Sequence, residues 1–292
     1  MRPTMREPKP EREQRGIQSI EVGGQLLHAL AHEGRAMALK DLAAAAGMAA
    51  AKAHPYLVSL GKVGLVEQDR SNGRYGLGPL ALQLGLMSLQ QADPVRLATP
   101  VIEDLALATG HTVAMAVWGS HGPTIVRLAE SPSAIHVNMR LGTVFSISGT
   151  ASGQLFAAHL AESLVRPLYE AECRLLLAAA GGDPAGHHTD TDTGTHTGTG
   201  TAATTLPGWA QFASTALAQV RTQGLGRSEG AVVAGVSALA APVFDQRGTA
   251  VLALTVIGPS AALDARWDGL LAQQMRSAAA LVSARLGHRP SR

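Results

Sequence analysis

The stretch that decides the fold is Leu42–Asp69, "LAAAAGMAAAKAHPYLVSLGKVGLVEQD". Two alanine-rich runs with spaced leucines flank Gly47, and alanine and leucine favour helices whereas glycine tends to end them. The stretch therefore predicts two short helices joined by a tight turn, over Leu39–Ala46 and 50–62. A proline deep inside a helix is costly, so we expect the second helix to begin late enough to leave Pro55 close to its first turn.

The neighbouring sequence completes a winged helix-turn-helix. Before the stretch, "IQSIEVGGQLLHALAH" (17–32) repeats apolar residues at helical spacing and predicts a further helix. After it, "LVEQD" and "RYGLG" have the character of strands, and the Asn-Gly pair between them is a strong hairpin signal. Three helices and a hairpin predict a winged helix-turn-helix over 16–78, preceded by a charged, disordered tail at 1–15.

Composition narrows the class of protein. The chain has 292 residues, 46% hydrophobic and 16% charged, which is ordinary for a folded protein and long enough for two domains. Its single cysteine, Cys173, excludes an internal disulfide framework and fits a reducing compartment. The charged start lacks the apolar core of a secretion signal, and no run of apolar residues is long enough to span a bilayer. We therefore expect a cytoplasmic protein that does not insert into a membrane.

The segment after the hairpin predicts a linker. "LALQLGLMSLQQ" (80–91) is apolar on nearly every side, so we expect a linker helix over 79–92 that packs against another copy or another domain. Asp93-Pro94 then supplies a helix cap with proline at the first helical position, and the following helix is expected to end at Thr109.

The remainder of the chain predicts an α+β domain over 93–288. The period changes to two from His111, which predicts strands within 111–148; one helical stretch follows over 149–180. Strand patterns return within 231–258, and a last helix is expected over 270–286. Such a mixture with short links predicts a mostly antiparallel sheet. The Thr/Gly-rich segment 181–208 has no apolar period and predicts a disordered insertion.

The helix-turn-helix and the wing carry the main functional signal. A helix fits the major groove of DNA, with side chains of its first turns directed at base edges, and basic residues on a wing meet phosphates. The predicted contacts lie on the third helix and the wing tip: Ala51, Lys52, His54, Tyr56, Ser59, Arg70, Ser71, Asn72 and Arg74. The net charge of the chain is only +2, so a helical module that binds another protein stays open as an alternative.

In order and spacing, several stretches resemble the IclR-type (isocitrate lyase regulator) family of bacterial transcription regulators. They are "LKDLAAAAGMAAAKAHPYLVSLGKVGLVEQD", "GRYGLGPLALQLG", "LATGHTVAMAVWG", "SGTASGQLFAAHL" and "ALAAPVFDQRGTAVLALTVIGP". The resemblance implies an N-terminal winged helix-turn-helix, a linker helix, and a C-terminal GAF-like domain that binds a small effector. It also implies a homodimer, often paired into a homotetramer, on a double-stranded DNA operator. Pro55 stands where many members carry arginine.

The stretch "SISGTASGQLF" is the candidate effector site. Small residues ahead of a helix leave N–H groups free, and Thr150, Ala151, Ser152 and Gly153 can direct them at one carboxylate. The resemblance implies that Ala151 and Ser152 hold the acid group and that Ser228, Val236 and Ala238 line the pocket. We predict Met115 as a further apolar wall. The predicted effector is a small organic acid. The open alternative is an ordinary capped helix whose glycines only allow close packing.

Enzymatic and metal functions are weakly supported. "GTASG" lacks the Gly-x-Ser-x-Gly spacing of a nucleophile elbow, and no Asp/His pair follows it in a recognisable order. His187, Asp190 and His196 are metal-ligand types, but they lie in the Thr/Gly-rich segment, which predicts no fixed geometry. We predict a regulator that is not an enzyme and uses no cofactor or metal. The alternative is a small-molecule sensor or hydrolase-like enzyme with a protein-binding helical N-terminus.

Overall fold

The computed structural model describes residues 16–130, 139–180 and 207–289, and the chain divides into two compact units, Met1–Gln91 and Ala92–Arg292. The predicted tail at 1–15 lies outside the described residues, as does the predicted insertion at 181–208 except for its last two residues.

The N-terminal unit is a winged helix-turn-helix followed by one further helix, as predicted. Its elements are α1 (Gln18–Glu33), α2 (Leu39–Ala45), α3 (Ala50–Lys62), β1 (Val66–Gln68), β2 (Tyr75–Leu77) and α4 (Pro79–Gln91). The strands β1 and β2 pair as an antiparallel hairpin, and Met37 adds an isolated bridge to Tyr75. Leu26, Leu42, Leu57 and Val66 are buried together, so α1, α2, α3 and the hairpin share one small core.

The predicted bounds of α3, 50–62, are confirmed, but the expectation that Pro55 lies close to the first turn is wrong. The helix begins at Ala50, so Pro55 is its sixth residue and lies in the helix interior. A proline there has no N–H to donate to the carbonyl four residues earlier, which belongs to Ala51. Both residues are exposed, so water can reach that carbonyl, and this exposure explains how the helix tolerates the proline.

The C-terminal unit contains one five-stranded sheet with helices on both faces. Its elements are α5 (Pro94–Thr109), β3 (Thr112–Gly119), β4 (Gly122–Ala129), α6 (Ala151–His159), α7 (Glu162–Ala180), α8 (Trp209–Phe212), a π-helical turn (Ala213–Leu217), α9 (Ala218–Gln223), β5 (Gly226–Glu229), β6 (Val236–Phe244), β7 (Ala250–Pro259) and α10 (Leu270–Arg285). The strand order is β4-β3-β7-β6-β5, and every pairing is antiparallel. This α+β architecture confirms the predicted fold class.

Two cores lie on the two faces of this sheet. One is formed with α5 and α10, where Ile102, Leu254 and Met275 are buried. The other is formed with α6 and the helices that follow it, where Phe156, Tyr169 and Leu217 are buried. Because both faces are covered, the central strands are apolar on both sides and carry little of the polar–apolar alternation that marks a half-exposed strand.

Local predictions in this unit are confirmed in part. Asp93 caps α5, accepting hydrogen bonds from the N–H groups of Val95 (3.0 Å) and Arg96 (3.2 Å), and the helix ends at Thr109 as predicted. The strands expected within 139–148 are absent from the described part of that stretch, which contains turns and one isolated bridge at Val144.

The expected helix over 149–180 is two helices, α6 and α7. Leu160 is extended, with φ −92° and ψ 163°, and separates them. Because of this break, α7 runs in a different direction from α6, and its Glu172 side chain accepts a hydrogen bond from Ile147, just before α6. The short strand β5 was not predicted, because four residues are too few to show a period.

Candidate functional site

The turn between α2 and α3 presents one face of α3 to solvent. Gly47 has φ +68°, a left-handed conformation that glycine adopts without strain, and its N–H bonds the carbonyl of Ala44. Ala53 and Leu57 are buried and hold α3 against the core of the unit. The opposite face of α3 is therefore accessible, as in proteins whose second helix of this motif enters the major groove.

The residues predicted on α3 divide into exposed and packed side chains. Ala51, Lys52, His54 and Ser59 are exposed. The prediction that Tyr56 belongs to the exposed face is corrected: it is half-buried, contacts the core cluster, and directs its ring towards Gly23 of α1. The reason is helical spacing, since position 56 lies three residues after buried Ala53 on nearly the same side of the helix. The Ser59 hydroxyl donates to the Pro55 carbonyl over 3.0 Å.

The hairpin turn uses two of the predicted wing residues internally. The Asp69 carboxylate accepts from the Ser71 hydroxyl (2.6 Å) and from the Asn72 amide (2.6 Å), while Asn72 Oδ1 accepts from the N–H of Arg74 (3.0 Å). The hydrogen bond from the Ser71 side chain is the main cause of a lowered pKa for the Asp69 carboxyl. Ser71 and Asn72 therefore shape the turn, and both remain exposed.

The two wing arginines are exposed. Within the described ranges, Arg70 has no hydrogen bond or ion pair, and Arg74 donates to the Ala36 carbonyl at 3.4 Å. Arg74 is thereby linked back to the segment between α1 and α2. The exposed cations of the wing and of α3 are accessible to phosphates.

The predicted effector residues meet where α6 begins, with one exception. Thr150 caps α6, and the Ser152 hydroxyl shares a hydrogen bond of 2.7 Å with the Thr255 hydroxyl on β7. Ser228 on β5 donates to the Gly149 carbonyl at 2.8 Å and pairs with Ala238 on β6. Val236 lies two residues before Ala238 and shares its face of the sheet. These residues form one cluster around the start of α6.

The prediction of Met115 as a wall of this site is wrong. Met115 is fully buried in the core formed with α5 and α10, on the far side of the sheet from α6. Its neighbour Ala116 belongs to the core formed with α6. Since successive side chains of a strand point to opposite faces, Met115 and Ser152 are separated by the sheet itself.

The N–H groups at the start of α6 are fewer than predicted. The Gly153 N–H donates to the Thr150 hydroxyl at 2.9 Å, so it is not free. A Cβ at Gly153 would overlap the Ser146 carbonyl oxygen, so this glycine permits close packing, as the alternative interpretation expected. Among the described contacts, the N–H groups of Ala151 and Ser152 have no partner, and they lie at the positive end of the helix dipole.

A carboxylate of the chain itself is bound just ahead of α6. Glu172 on α7 accepts hydrogen bonds from the N–H groups of Ile147 (2.6 Å) and Ser148 (3.1 Å) and from the hydroxyls of Ser146 (2.8 Å) and Ser148 (2.5 Å). We call these donors and Glu172 the Glu172 clamp. Sequence reasoning did not identify it, because Glu172 lies 24 to 26 residues away from its donors and no local pattern connects them.

Among the residues that the structure describes, no general base forms a hydrogen bond with the Ser152 hydroxyl. Its partner is the Thr255 hydroxyl, and both residues are almost fully buried. Within the described ranges no group of three or more histidine, cysteine or acidic residues is placed to hold a metal ion. His187, Asp190 and His196 lie outside those ranges. In the same part of the chain, no helix is both long and apolar enough to cross a bilayer.

Two family models match the chain and together span most of it. The IclR helix-turn-helix domain matches residues 19–70, and the bacterial transcriptional regulator IclR C-terminal domain matches 86–193 and 195–284. Their order agrees with the two units of the structure.

Individual relatives agree with this match. The glycerol operon regulatory protein of Streptomyces griseus is 30% identical over 275 residues, covering 94% of this chain and 98% of that protein. The transcriptional repressor IclR of Escherichia coli is 24% identical over 245 residues, covering 83% and 80%. The crystal structure of Pseudomonas aeruginosa HmgR is 33% identical with a TM-score of 0.78, covering 94% of this chain and 100% of that one.

The Streptomyces and Escherichia coli relatives are transcription regulators and not enzymes, in agreement with the prediction from the sequence. The same conclusion follows from the family models, from the sequence identity to a relative over almost the whole chain, and from the winged helix-turn-helix architecture. This chain belongs to the IclR family of DNA-binding transcription regulators.

Proposed function

We propose that α3 and the β1–β2 hairpin bind a double-stranded DNA operator, and that a small organic acid bound at the start of α6 controls the affinity. The observation that carries the first part is the accessible face of α3, with the exposed Lys52 and His54 on its first turns. The first turns of such a helix reach base edges in the major groove.

The exposed cations have distinct roles in this proposal. Lys52, on the first turn of α3, is placed to reach a base edge, whereas Arg70 at the wing tip is placed to meet a phosphate. Ser71 and Asn72 contribute by holding the turn through Asp69. A base contact discriminates between sequences, and a phosphate contact strengthens binding to all of them.

The experiment is a binding titration against selected operator duplexes and scrambled duplexes over a range of salt. Lys52→Ala should reduce the preference for operator, and Arg70→Ala should weaken both duplexes and lower the salt slope by about one unit. The matched control is Arg247→Ala, an exposed arginine in another aspartate-led hairpin turn, which should change neither. Equal losses on both duplexes for Lys52→Ala would contradict its role as a base contact.

The effector proposal rests on the α6 start. The N–H groups of Thr150, Ala151 and Ser152 have no partner among the described contacts there, and an organic carboxylate accepts several such bonds at once. The Ser228 hydroxyl donates its proton to the Gly149 carbonyl and borders the site without supplying a donor, and Val236 and Ala238 supply apolar surface for the body of the ligand. Such a mixture of converging donors and apolar walls is typical of small-molecule sites.

A pair of variants at one position tests the effector proposal. Ser152→Pro removes the N–H at a helix start where proline is tolerated, and Ser152→Ala removes only the hydroxyl. With a panel of aliphatic and aromatic acids, calorimetry should show binding to wild type and Ser152→Ala and none to Ser152→Pro. Operator binding by both variants shows that they are folded. Undiminished acid binding by Ser152→Pro, or binding of uncharged compounds alone, would refute the proposal.

We also propose that α4 pairs two copies of the chain. Its leucines are exposed, with Leu82 at 66% and Leu86 at 52%, and a run of exposed leucine on one helix marks an interaction surface. Two copies would bind half-sites about one helical turn, ~34 Å, apart. Leu82→Glu with Leu86→Glu should yield a smaller species by light scattering and weaken operator binding. An unchanged mass would exclude this interface, and the wild-type mass separates a dimer from a tetramer.

The proposed DNA partner also bears on the location of the protein. Because chromosomal DNA lies in the bacterial cytoplasm, we propose that the protein acts there.

A further inference from the structure

The first turn of α3 has almost no polar side chain. The helix is preceded by Ala49 and begins with Ala50 and Ala51, and its N-cap forms no side-chain hydrogen bond. In a helix-turn-helix unit these are the positions closest to the bases. Alanine offers neither donor nor acceptor there, so hydrogen bonding from this turn is confined to Lys52.

The outward face of α3 is also apolar beyond the first turn. Ala51, Pro55 and Val58 recur at spacings of four and three residues and lie on one face, opposite the buried Ala53 and Leu57. Val58 is 44% exposed although it is a large aliphatic side chain. We call Ala51, Pro55 and Val58 the apolar stripe of α3.

The polar neighbours of the stripe are few. The Ser59 hydroxyl donates to the Pro55 carbonyl at 3.0 Å, so its proton is engaged within the helix. Lys52 and His54 flank the stripe, and Lys62 extends it at the end of the helix; all three are exposed. A surface with apolar centre and cationic edges fits a partner with apolar groups in a groove bordered by phosphates.

The major groove presents one apolar group on a base edge, the C5-methyl of thymine. We propose that the apolar stripe of α3 reads thymine methyl groups, so that the half-site under α3 is specified at A·T pairs by methyl contact. This inference rests on the proposed binding of operator DNA by α3 and adds the chemical class of base that is recognised. The contact is nonpolar, so it selects thymine over cytosine and over uracil.

Uracil substitution tests the proposal directly. Full-length protein is used to select a binding duplex from a random pool, and that duplex is then synthesised with uracil in place of each thymine, which removes only methyl groups. Burying one methyl contributes about as much as a buried methylene, so each lost contact should weaken binding roughly four-fold. Restoring single thymines should locate the contacts within the half-site.

Variants separate methyl contact from an effect of methyl groups on DNA shape. Val58→Ala should reduce the thymine-to-uracil difference, whereas Lys62→Ala should weaken both duplexes equally and leave the difference unchanged. A wild-type protein that binds both duplexes equally would overturn the inference while leaving the proposed function intact. An undiminished difference in Val58→Ala together with Ala51→Gly would also overturn it. Failure to select any duplex would refute the proposed function and this inference with it.

Discussion

Two helices of this chain begin with small residues, and their surroundings are opposite. Ala50 and Ala51 open α3, whose outward side is exposed along its whole length. Ala151, Ser152 and Gly153 open α6, and all three are buried against the sheet and the preceding loop. Similar compositions therefore serve an accessible face in one unit and a tightly packed helix start in the other.

The comparison shows that small side chains have two structural uses. At α6 they let main chains approach each other: a Cβ at Gly226 would overlap the Ala151 carbonyl oxygen, as one at Gly153 would overlap that of Ser146. At α3 they keep the face free of long side chains that would hold a partner away. Substitutions in and around these two helices test whether close packing at α6 and exposure at α3 account for the small side chains.

Removing a close approach should have the largest effect. Gly153→Ala should destabilise the C-terminal unit by about 3 kcal/mol, because its Cβ meets main-chain atoms that cannot move without shifting the loop. Urea unfolding followed by a signal of this unit would measure the loss.

The control glycine lies in the other unit. Gly24 is within α1, and a Cβ there would meet nothing within 4 Å, so Gly24→Ala should stabilise the protein by about 1 kcal/mol through helix propensity alone. If both substitutions had similar effects, close packing at α6 would not explain the glycine.

Restoring a missing hydrogen bond should stabilise α3. Pro55→Ala gives the helix an N–H for the Ala51 carbonyl, and the expected gain is about 2 kcal/mol after allowing for a more flexible unfolded chain. The measurement is the unfolding free energy of the N-terminal unit from denaturant titration.

Pro167 provides a matched comparison, because it is also the sixth residue of its helix, α7, and is also exposed. Pro167→Ala should give a similar gain in the C-terminal unit. A gain at Pro167 without one at Pro55 would indicate that α3 owes its shape to the proline rather than tolerating it.

Loss of the Glu172 clamp should lower the free energy of unfolding by less than Gly153→Ala does. Glu172→Ala leaves two N–H groups and two hydroxyls without their carboxylate, and since the site is only partly buried we expect a loss of about 1.5 kcal/mol. The melting temperature of the variant should rise towards that of the wild type when acetate or formate is added. A free carboxylate can accept the hydrogen bonds that Glu172 accepted.

Glu170→Ala is the matched control. This carboxylate is on the same helix and pairs with Arg166 at 2.7 Å on the surface, so its loss should cost about 0.5 kcal/mol or less. Acetate should not rescue it. Equal responses to acetate in both variants would show a general salt effect and contradict a specific anion site.

The smallest effect concerns pH. Burial, and secondarily the charge of Arg221, lowers the pKa of the His159 imidazole below its usual 6.5. Below pH 6.5 the unfolded chain therefore binds a proton that the folded chain resists, so stability falls as the pH decreases through this range. His159→Phe, which can retain the edge contact with Phe244, should reduce the acid-induced drop in melting temperature by a few degrees or less. The two proteins should show parallel behaviour above pH 7.5, and an unchanged acid slope would contradict the assignment.

Part of this molecule was predictable because its signals are local. The alanine runs around Gly47, the Asn-Gly hairpin and the Asp93-Pro94 cap each depend on residues a few positions apart, and the structure contains all three features. The candidate effector cluster was placed at the start of α6 from a short motif and from resemblance, and the structure brings Thr150, Ser152 and Ser228 close to that point.

Other features were not predictable from local pattern. The half-buried position of Tyr56 depends on which side of α3 meets α1, and a helix with alanines on several sides does not define that side. The Glu172 clamp depends on a chain reversal at Leu160. Because proline destabilises a helix interior, the sequence predicts Pro55 near a helix start. In the structure it lies inside α3 at an exposed position.

Spacing along the chain is sufficient to predict the order of the two units, the helix-turn-helix and the family. Three-dimensional packing was needed to establish that Met115 faces α5 and α10 while Ala116 faces α6, and that Glu172 binds the loop before α6. Helices cover both faces of the sheet, so its central strands are apolar on both sides and polarity along those strands does not distinguish one face from the other.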